Sequence, residues 1–231
     1  MLSIETATEN CSVALRFDGE ISQKQQIIPN GHSRLVHGMV EQLLLERKIQ
    51  LIDLDAIAVD VGPGSFTGLR IGIGIAQGLA FASGLKAVGV HSLEALAAPI
   101  ENSFVLSAID ARMGQVYWCF YDTRNGTTPL LAAQVSNPNV VLSSIQSILD
   151  VGAGGSSDVS VIGVGSGWQV YGDSLPLTIA NREVKVINGR YPEARDLLLL
   201  ANSESLESPM GLNAAYVRNN VAQKIESRRK Q

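Results

Sequence analysis

The chain has 231 residues, of which 45% are hydrophobic and 17% charged, and its formal net charge is −4. This length and apolar content suffice for one large domain or two small ones. The net negative charge argues against a protein that binds nucleic acid on its own by neutralising phosphates. Its first residues enter an apolar strand pattern without a basic leader, and Cys11 and Cys119 have no metal-ligand spacing. We therefore expect a cytoplasmic protein with reduced thiols.

The first hundred residues predict three strands, a helix, a strand and a helix, followed by one more strand and helix. Asp18-Gly19 is a hairpin turn signal between the second and third strands, and Ser33 is a candidate N-cap. The predicted strands are residues 2–5, 12–17, 20–28, 56–61 and 86–90, and the predicted helices are residues 33–48, 67–83 and 92–98.

The same order begins again after a boundary near Pro99. Predicted strands are residues 104–109, 115–121, 130–135 and 159–164, and predicted helices are residues 139–149 and 193–201. A repeated unit predicts two similar lobes with a cleft between them. We assign residues 1–100 to the first lobe and 101–211 to the second, and we expect a C-terminal helix within 212–227 to complete the first.

The segment Val61–Gly84 contains seven of the 22 glycines and follows a buried strand. Its spacing matches neither the phosphate loop nor the dinucleotide-binding fingerprint, and the chain lacks the nucleophile elbow. Arg70 and Gln77 interrupt it, which argues against a membrane span. Gly68, Gly72, Ala76 and Ala80 recur every four residues, so they share one helix face. Because glycine destabilises a helix interior, this face predicts close approach of another backbone, from this chain or from a partner.

Three acidic residues, Glu5, Asp60 and Asp110, each follow an apolar strand. Strand ends of a two-lobed fold line the cleft, so these carboxylates could hold Mg²⁺ or act as acid and base. We favour the alternative that they cap loops or, with Gly163 and Gly165, are the vestige of a nucleotide cleft. No metal site is predicted.

Four motifs resemble the TsaB (YeaZ) family over nearly the whole chain. They are IETATENCSVAL, VGPGSFTGLRIG, AIDARMGQVY and GVGSGWQVY, beginning at Ile4, Val61, Ala108 and Gly163. The resemblance implies the fold of the actin, Hsp70 and sugar-kinase superfamily, with two RNase-H-like lobes of order β-β-β-α-β-α. Glu5 stands where the family usually has Asp, and Ala215 where it usually has Pro.

The resemblance also implies a function. The family is a noncatalytic partner of TsaD, which transfers the threonylcarbamoyl group from threonylcarbamoyl-AMP to adenosine 37 of ANN-decoding tRNAs, and the small ATPase TsaE joins the complex. TsaD-like relatives use a His-x-x-x-His pair, whereas His32 and His37 are five residues apart here and diverge around a helix. The alternatives are an ATP-binding, kinase-like or ATPase enzyme using the cleft carboxylates and, more remotely, a peptidase.

We expect the partner surface on two helices of the first lobe, and the same face would pair two copies when TsaD is absent. The other possibility is that the glycines only pack the helix on its own sheet. No tightly bound cofactor is expected, and a nucleotide would bind only at the interface of the complex. We expect the protein to reach tRNA through the complex and to make no contact with a membrane. The candidate interface residues are Leu35, Val36, Met39, Val40, Leu43, Gly68, Gly72 and Ala76.

Overall fold

A computed structural model describes residues 1–152 and 159–217, which form two sheets with helices packed against them. The first sheet has the strand order β3-β2-β1-β4-β5, in which β2 runs antiparallel to β1 and β3, and β1, β4 and β5 are parallel. Asp18 and Gly19 form the predicted hairpin turn, both with positive φ. The strands are β1 (Leu2–Glu5), β2 (Asn10–Phe17), β3 (Glu20–Ile27), β4 (Ala56–Gly62) and β5 (Lys86–His91).

The second sheet repeats this arrangement. Its order is β11-β12-β10-β6-β7-β8, with β9 also paired to β7. A central strand, β6, again has an antiparallel neighbour on one side and a parallel neighbour on the other. The two-lobed α/β fold predicted from the sequence is confirmed. The strands are β6 (Ser103–Asp110), β7 (Val116–Asp122), β8 (Thr128–Pro129), β9 (Gln134–Ser136), β10 (Ser160–Val164), β11 (Thr178–Ile179) and β12 (Arg182–Ile187).

Helices cover the sheets and connect the lobes. They are α1 (His32–Arg47), α2 (Phe66–Ser83), α3 (Ser92–Ala97), α4 (Val141–Gly152), α5 (Ser166–Tyr171) and α6 (Ala194–Leu200). Apolar residues of α1 and α2 form the largest core with β1, β2 and β4. α3 lies between the sheets, because Leu93 and Leu96 pack with strands of the second while Ala95 packs with strands of the first. Within the described residues, no helix combines the length and apolarity that crossing a bilayer requires.

Two local predictions need correction, and three elements are additional to those predicted. α1 begins at His32 with Gly31 as its N-cap, so Ser33 lies inside the first turn. The strand predicted at 130–135 is replaced by two short strands, β8 and β9, with Leu130–Ala133 between them. The elements α5, β11 and β12 were not predicted.

The lobe boundary also differs, because α6 packs on the first sheet and not on the second. The Ser3 hydroxyl donates to the Ala194 carbonyl at 2.7 Å, and the Ala194 N–H donates to Ser12 Oγ at 2.9 Å. Arg16 Nη1 donates to the Leu198 carbonyl at 2.9 Å. The predicted second range, 101–211, therefore includes a helix that belongs to the first lobe.

The chain stays with the first lobe beyond α6. Leu212 is 3% exposed in the first core, and the Ala215 N–H donates to the Val61 carbonyl at 2.7 Å. Residues 212–217 are not helical. The rest of the predicted C-terminal helix, and the basic residues from Arg218 onward, lie outside the described residues.

Candidate functional site: the interlobe cleft

A cleft of about 500 Å³ lies between the two lobes. The β1–β2 loop and the β4–α2 loop form its wall in the first lobe, and the end of β6 and part of α5 form its wall in the second. Arg112 connects these walls: its Nη2 lies 2.9 Å from Glu9 Oε1 in the first lobe, and its Nη1 lies 3.0 Å from Asp110 Oδ2 in the second. The Arg112 side chain is 73% exposed, so we expect this bridge to contribute little stability.

Asp110 is the predicted acidic residue that does line the cleft. Its Oδ1 accepts hydrogen bonds from the Arg112 N–H at 2.8 Å and from the Tyr171 hydroxyl at 2.9 Å. Burial and the adjacent Asp110 carboxylate raise the pKa of Tyr171, which favours the protonated phenol that donates this bond. Asp110 is therefore held by Arg112 and Tyr171, both of its own lobe.

Glu5 and Asp60 form a pair that is fully buried beneath the cleft. Glu5 Oε1 accepts from the Ala7 N–H at 2.6 Å, and Asp60 Oδ1 accepts from the Gly62 N–H and the Ser92 hydroxyl, each at 2.6 Å.

The other oxygen of each carboxyl group, Glu5 Oε2 and Asp60 Oδ2, is buried without a hydrogen-bond partner. Burial raises the pKa of Glu5 well above its ordinary value, and the neighbouring Asp60 raises it further. Burial also raises the pKa of Asp60. We infer that the pair holds one proton, which allows one carboxyl group to donate to the other.

The three predicted carboxylates do not form one cluster. Glu5 and Asp60 are 0% exposed, whereas Asp110 lies in the cleft wall. In residues 1–152 and 159–217, no three side chains of His, Cys, Asp or Glu converge in a way that could hold a metal ion. Each of the three accepts a backbone N–H two residues ahead, as a loop cap does.

The inner glycines of the Val61–Gly84 segment have a structural reason to be small, because the β1–β2 loop crosses them. A Cβ atom on Gly64 would collide with Ala7, and one on Gly68 or Gly72 would collide with Thr6. The Thr6 hydroxyl donates to the Gly68 carbonyl at 2.9 Å. The close backbone approach predicted from the sequence exists, and the second backbone belongs to the same chain.

Most of the candidate interface residues are buried inside the first lobe. Leu35 is half-buried, and the other seven are buried in the first lobe: Val36, Met39, Val40, Leu43, Gly68, Gly72 and Ala76. Their apolar face packs on the sheet, as in the alternative considered above. An interface on these helices remains a prediction, and it now requires other residues.

The outer face of α2 offers such residues. Gly74 and Gly78 are exposed, and a Cβ atom on either would meet nothing within 4 Å. Phe66 is 56% exposed and Phe81 75% exposed, near opposite ends of the same helix. Gly74 and Gly78 are four residues apart, so this second small stripe could have been recognised in the sequence.

Tyr216, near the end of the described chain, contacts the N-terminal turns of α2. The Arg70 guanidinium carbon lies 3.3 Å from the Phe66 ring centroid, and Arg70 Nη2 donates to the Tyr216 hydroxyl at 2.7 Å. The rings of Phe66 and Tyr216 lie 6.3 Å apart. The contact with Tyr216 joins residues far apart in sequence, and no spacing pattern predicts it.

The predicted nucleotide-cleft glycines of the second lobe also have packing roles. A Cβ atom on Gly163 would overlap the buried Trp168 indole, whose Nε1 donates to the Leu106 carbonyl at 3.1 Å. Gly165 has φ of +106° and leaves no room for a Cβ against the Ala108 carbonyl. A nucleotide role for these two glycines stays a prediction.

The histidines diverge as predicted. His32 is buried with its Nε2 2.9 Å from the Thr8 carbonyl oxygen, whereas His37 is exposed. The pair cannot ligate one metal ion from one helix face.

Comparison with known proteins finds similarity along nearly the whole chain. A family model described as TsaD, tRNA N6-adenosine threonylcarbamoyltransferase, matches residues 20–224. The tRNA threonylcarbamoyladenosine biosynthesis protein TsaB of Escherichia coli K12 is 37% identical, covering 97% of this chain and 96% of its own length. The protein of the same name from Haemophilus influenzae is 29% identical, covering 97% and 95%.

Solved structures agree with these relatives. YeaZ from Pseudomonas aeruginosa has a TM-score of 0.79 and 33% identity, covering 93% of this chain and 98% of that one. A second Pseudomonas aeruginosa structure, described as an uncharacterized protein with similarity to peptidase YeaZ, also has a TM-score of 0.79, at 32% identity. These similarities fit the actin, Hsp70 and sugar-kinase fold class predicted from the sequence.

Proposed function

The chain belongs to the TsaB family, and from this membership we propose that it is a noncatalytic partner of a TsaD transferase in threonylcarbamoyladenosine synthesis on tRNA. The observation that carries the proposal is the similarity to proteins named for this biosynthesis over 97% of the chain. The family model named for the transferase also matches, but the histidine pair expected of TsaD-like relatives is missing.

The chemistry of the cleft supports a noncatalytic role. Two of the three candidate carboxylates are withdrawn into a buried pair, and the third is engaged by Arg112 and Tyr171. In the described part of the chain, the ring nitrogens of His32 and His91 contact backbone carbonyl oxygens rather than a serine or cysteine side chain. This does not favour a peptidase, because a nucleophile needs a base within hydrogen-bond reach.

We further propose that TsaD docks on the outer face of α2. Gly74 and Gly78 leave space for a partner backbone, and exposed aromatic side chains such as Phe81 are common anchors at interfaces. In the absence of TsaD, a second copy would use the same face, since a two-fold dimer pairs one surface with itself. TsaE would join the assembled complex, and tRNA would be reached through TsaD.

Copurification with TsaD from the same cell tests the partner role. Phe81→Glu and Gly74→Leu alter exposed positions, so both variants should fold while losing at least about tenfold in TsaD affinity. Leu177→Glu is the matched control, because Leu177 is 62% exposed in the second lobe and should not affect binding.

The outcomes separate two parts of the proposal. If wild-type protein does not bind TsaD, or transfers the threonylcarbamoyl group without TsaD, the partner role is wrong. If the α2 variants bind TsaD as wild type does, only the docking face is wrong. Substitutions at Gly72 or Met39 cannot replace them, because both positions are buried and would report on folding.

A further inference from the structure

A second cavity, of about 480 Å³, lies beyond the C-terminal segment. Pro63, Ala215 and Val217 line both cavities, so the segment separates the second cavity from the cleft described above. Its remaining walls come from the start of α3, from β7 and from the connection between β8 and β9. This volume is within the range of small-molecule binding sites.

The walls are largely aliphatic. Leu93, Leu130, Leu131 and Val217 contribute apolar side chains to the cavity. Small-molecule sites usually combine such walls with a few polar groups that fix the orientation of the ligand. The polar groups of this cavity therefore determine which ligand it fits.

Among the described residues of the wall, Glu94 is the single carboxylate and His91 the single imidazole. Within the described residues, Glu94 receives no side-chain hydrogen bond and forms no ion pair. Burial raises its pKa, and the nearby His91 opposes that shift. A half-buried carboxylate without a hydrogen-bond donor is costly, and a donor or a positive charge supplied by a ligand would reduce that cost.

Two further polar groups in the wall are unsuited to covalent chemistry. Burial raises the pKa of the Cys119 thiol to about 11, and burial also raises the pKa of Tyr121. Both stay protonated at neutral pH, and the Cys119 thiol donates to the Leu131 carbonyl at 3.3 Å. The thiolate is the nucleophilic form of cysteine, so Cys119 is not poised as a nucleophile in this cavity.

We propose that this cavity binds a small organic cation, a primary ammonium on a short aliphatic chain, with the ammonium against Glu94 and the aliphatic part against Leu93, Leu130 and Leu131. The aliphatic walls exclude a strongly polar body. Glu94 supplies the acceptor for an ammonium, whereas His91 already has its Nδ1 at 3.2 Å from the Gly62 carbonyl oxygen. The site does not depend on the partner role proposed above, because it uses neither the outer face of α2 nor the carboxylates of the first cleft.

The test uses 3-methylbutylamine as the probe and 3-methylbutan-1-ol as its neutral counterpart. Binding to the full-length protein is followed by shifts of backbone amide signals in ¹H–¹⁵N NMR spectra. We expect amine binding in the millimolar range, shifts centred on residues 91–94 and 129–133, and at least about tenfold weaker binding of the alcohol, because the charge-assisted hydrogen bond is lost.

Glu94→Gln keeps the shape of the side chain and removes its charge. We expect it to reduce amine affinity about tenfold and to leave alcohol binding unchanged. Glu101→Gln is the control, since Glu101 is exposed and outside the cavity wall, and the two variants have the same net charge. Equal binding of amine and alcohol by the wild type, equal amine binding by both variants, or shifts elsewhere in the protein would each overturn the proposal.

Discussion

The Thr6 side chain occupies the space in which a Cβ atom on Gly72 would stand. The same Thr6 hydroxyl donates to the carbonyl oxygen of Gly68, one helical turn earlier. Gly72→Ala should therefore displace the Thr6 hydroxyl and disrupt its hydrogen bond to Gly68. We expect a decrease of about 1–3 kcal/mol in the free energy of unfolding, the usual cost of overpacking a core, measured by urea denaturation.

Gly74→Ala is the matched control for that substitution, because it makes the same change two residues later in the same helix. No atom lies within 4 Å of the Cβ position on Gly74. Alanine in a helix interior is favoured over glycine by roughly 0.5–1 kcal/mol, so this variant should be slightly more stable than wild type. Equal stability of the two variants would show that Thr6 does not set the limit on side-chain size.

The shared proton of Glu5 and Asp60 makes stability depend on pH. Because both pKa values are raised in the folded protein, the folded state binds more protons than the unfolded state. The contribution of the pair is fully present below the unfolded pKa values and is lost as pH rises through the folded pKa of Glu5. The free energy of unfolding should therefore fall with increasing pH above the ordinary glutamate pKa of 4.5.

Glu5→Gln should weaken that pH dependence, since the amide can donate to Asp60 without titrating. Urea denaturation across a pH series measures the slope for wild type and variant. Glu101→Gln removes an exposed carboxylate and should leave the wild-type slope unchanged. A wild-type slope in Glu5→Gln would contradict the shared proton.

Both thiols should resist modification in the folded protein. Cys11 and Cys119 are buried and free, and burial raises the pKa of each to about 11. A thiol reagent such as dithionitrobenzoate should react slowly with native protein at neutral pH and with two thiols after denaturation in guanidinium. Fast reaction of either cysteine in the native state would show that its surroundings open readily.

The isolated chain should show no saturable binding of Mg-ATP. Glu5 and Asp60 are buried, and Asp110 lies in the opposite lobe. Among residues 1–152 and 159–217, no set of carboxylates is therefore available for a magnesium ion. Isothermal titration calorimetry with the purified chain provides the measurement. Tight binding that disappears in Asp110→Ala would instead support the kinase-like or ATPase alternative.

The sequence predicted the architecture better than the surfaces. Strand order and hairpin signals predicted the repeated unit, because each depends on residues close together in the chain. Periodicity groups residues on one helix face but does not say which face points inward when both carry glycine, as the stripes of Gly72 and Gly74 show. The alternation in Arg182–Ile187 could have revealed β12, whereas the six residues of α5 are too few for a helical period.

Local sequence patterns could not predict contacts between distant parts of the chain. Ser3 and Ala194 are 191 residues apart, and nothing in the local sequence of α6 predicts which sheet it covers. The pairing of Glu5 with Asp60 was missed for the same reason. Each carboxylate was correctly placed at the end of a strand, but only the tertiary structure shows that the two groups face each other in the interior.

The packing of α6 and Leu212 on the first sheet also constrains how the protein is made. The first lobe begins with β1, which leaves the ribosome before the second lobe, but this lobe lacks part of its core until residue 212 has emerged. All strands of the second sheet have emerged before that point, because the last of them ends at Ile187. Domains generally fold as units during synthesis. The lobe encoded second is therefore the first that can fold to completion, and a nascent chain stalled before α6 would present an unfinished apolar surface to chaperones.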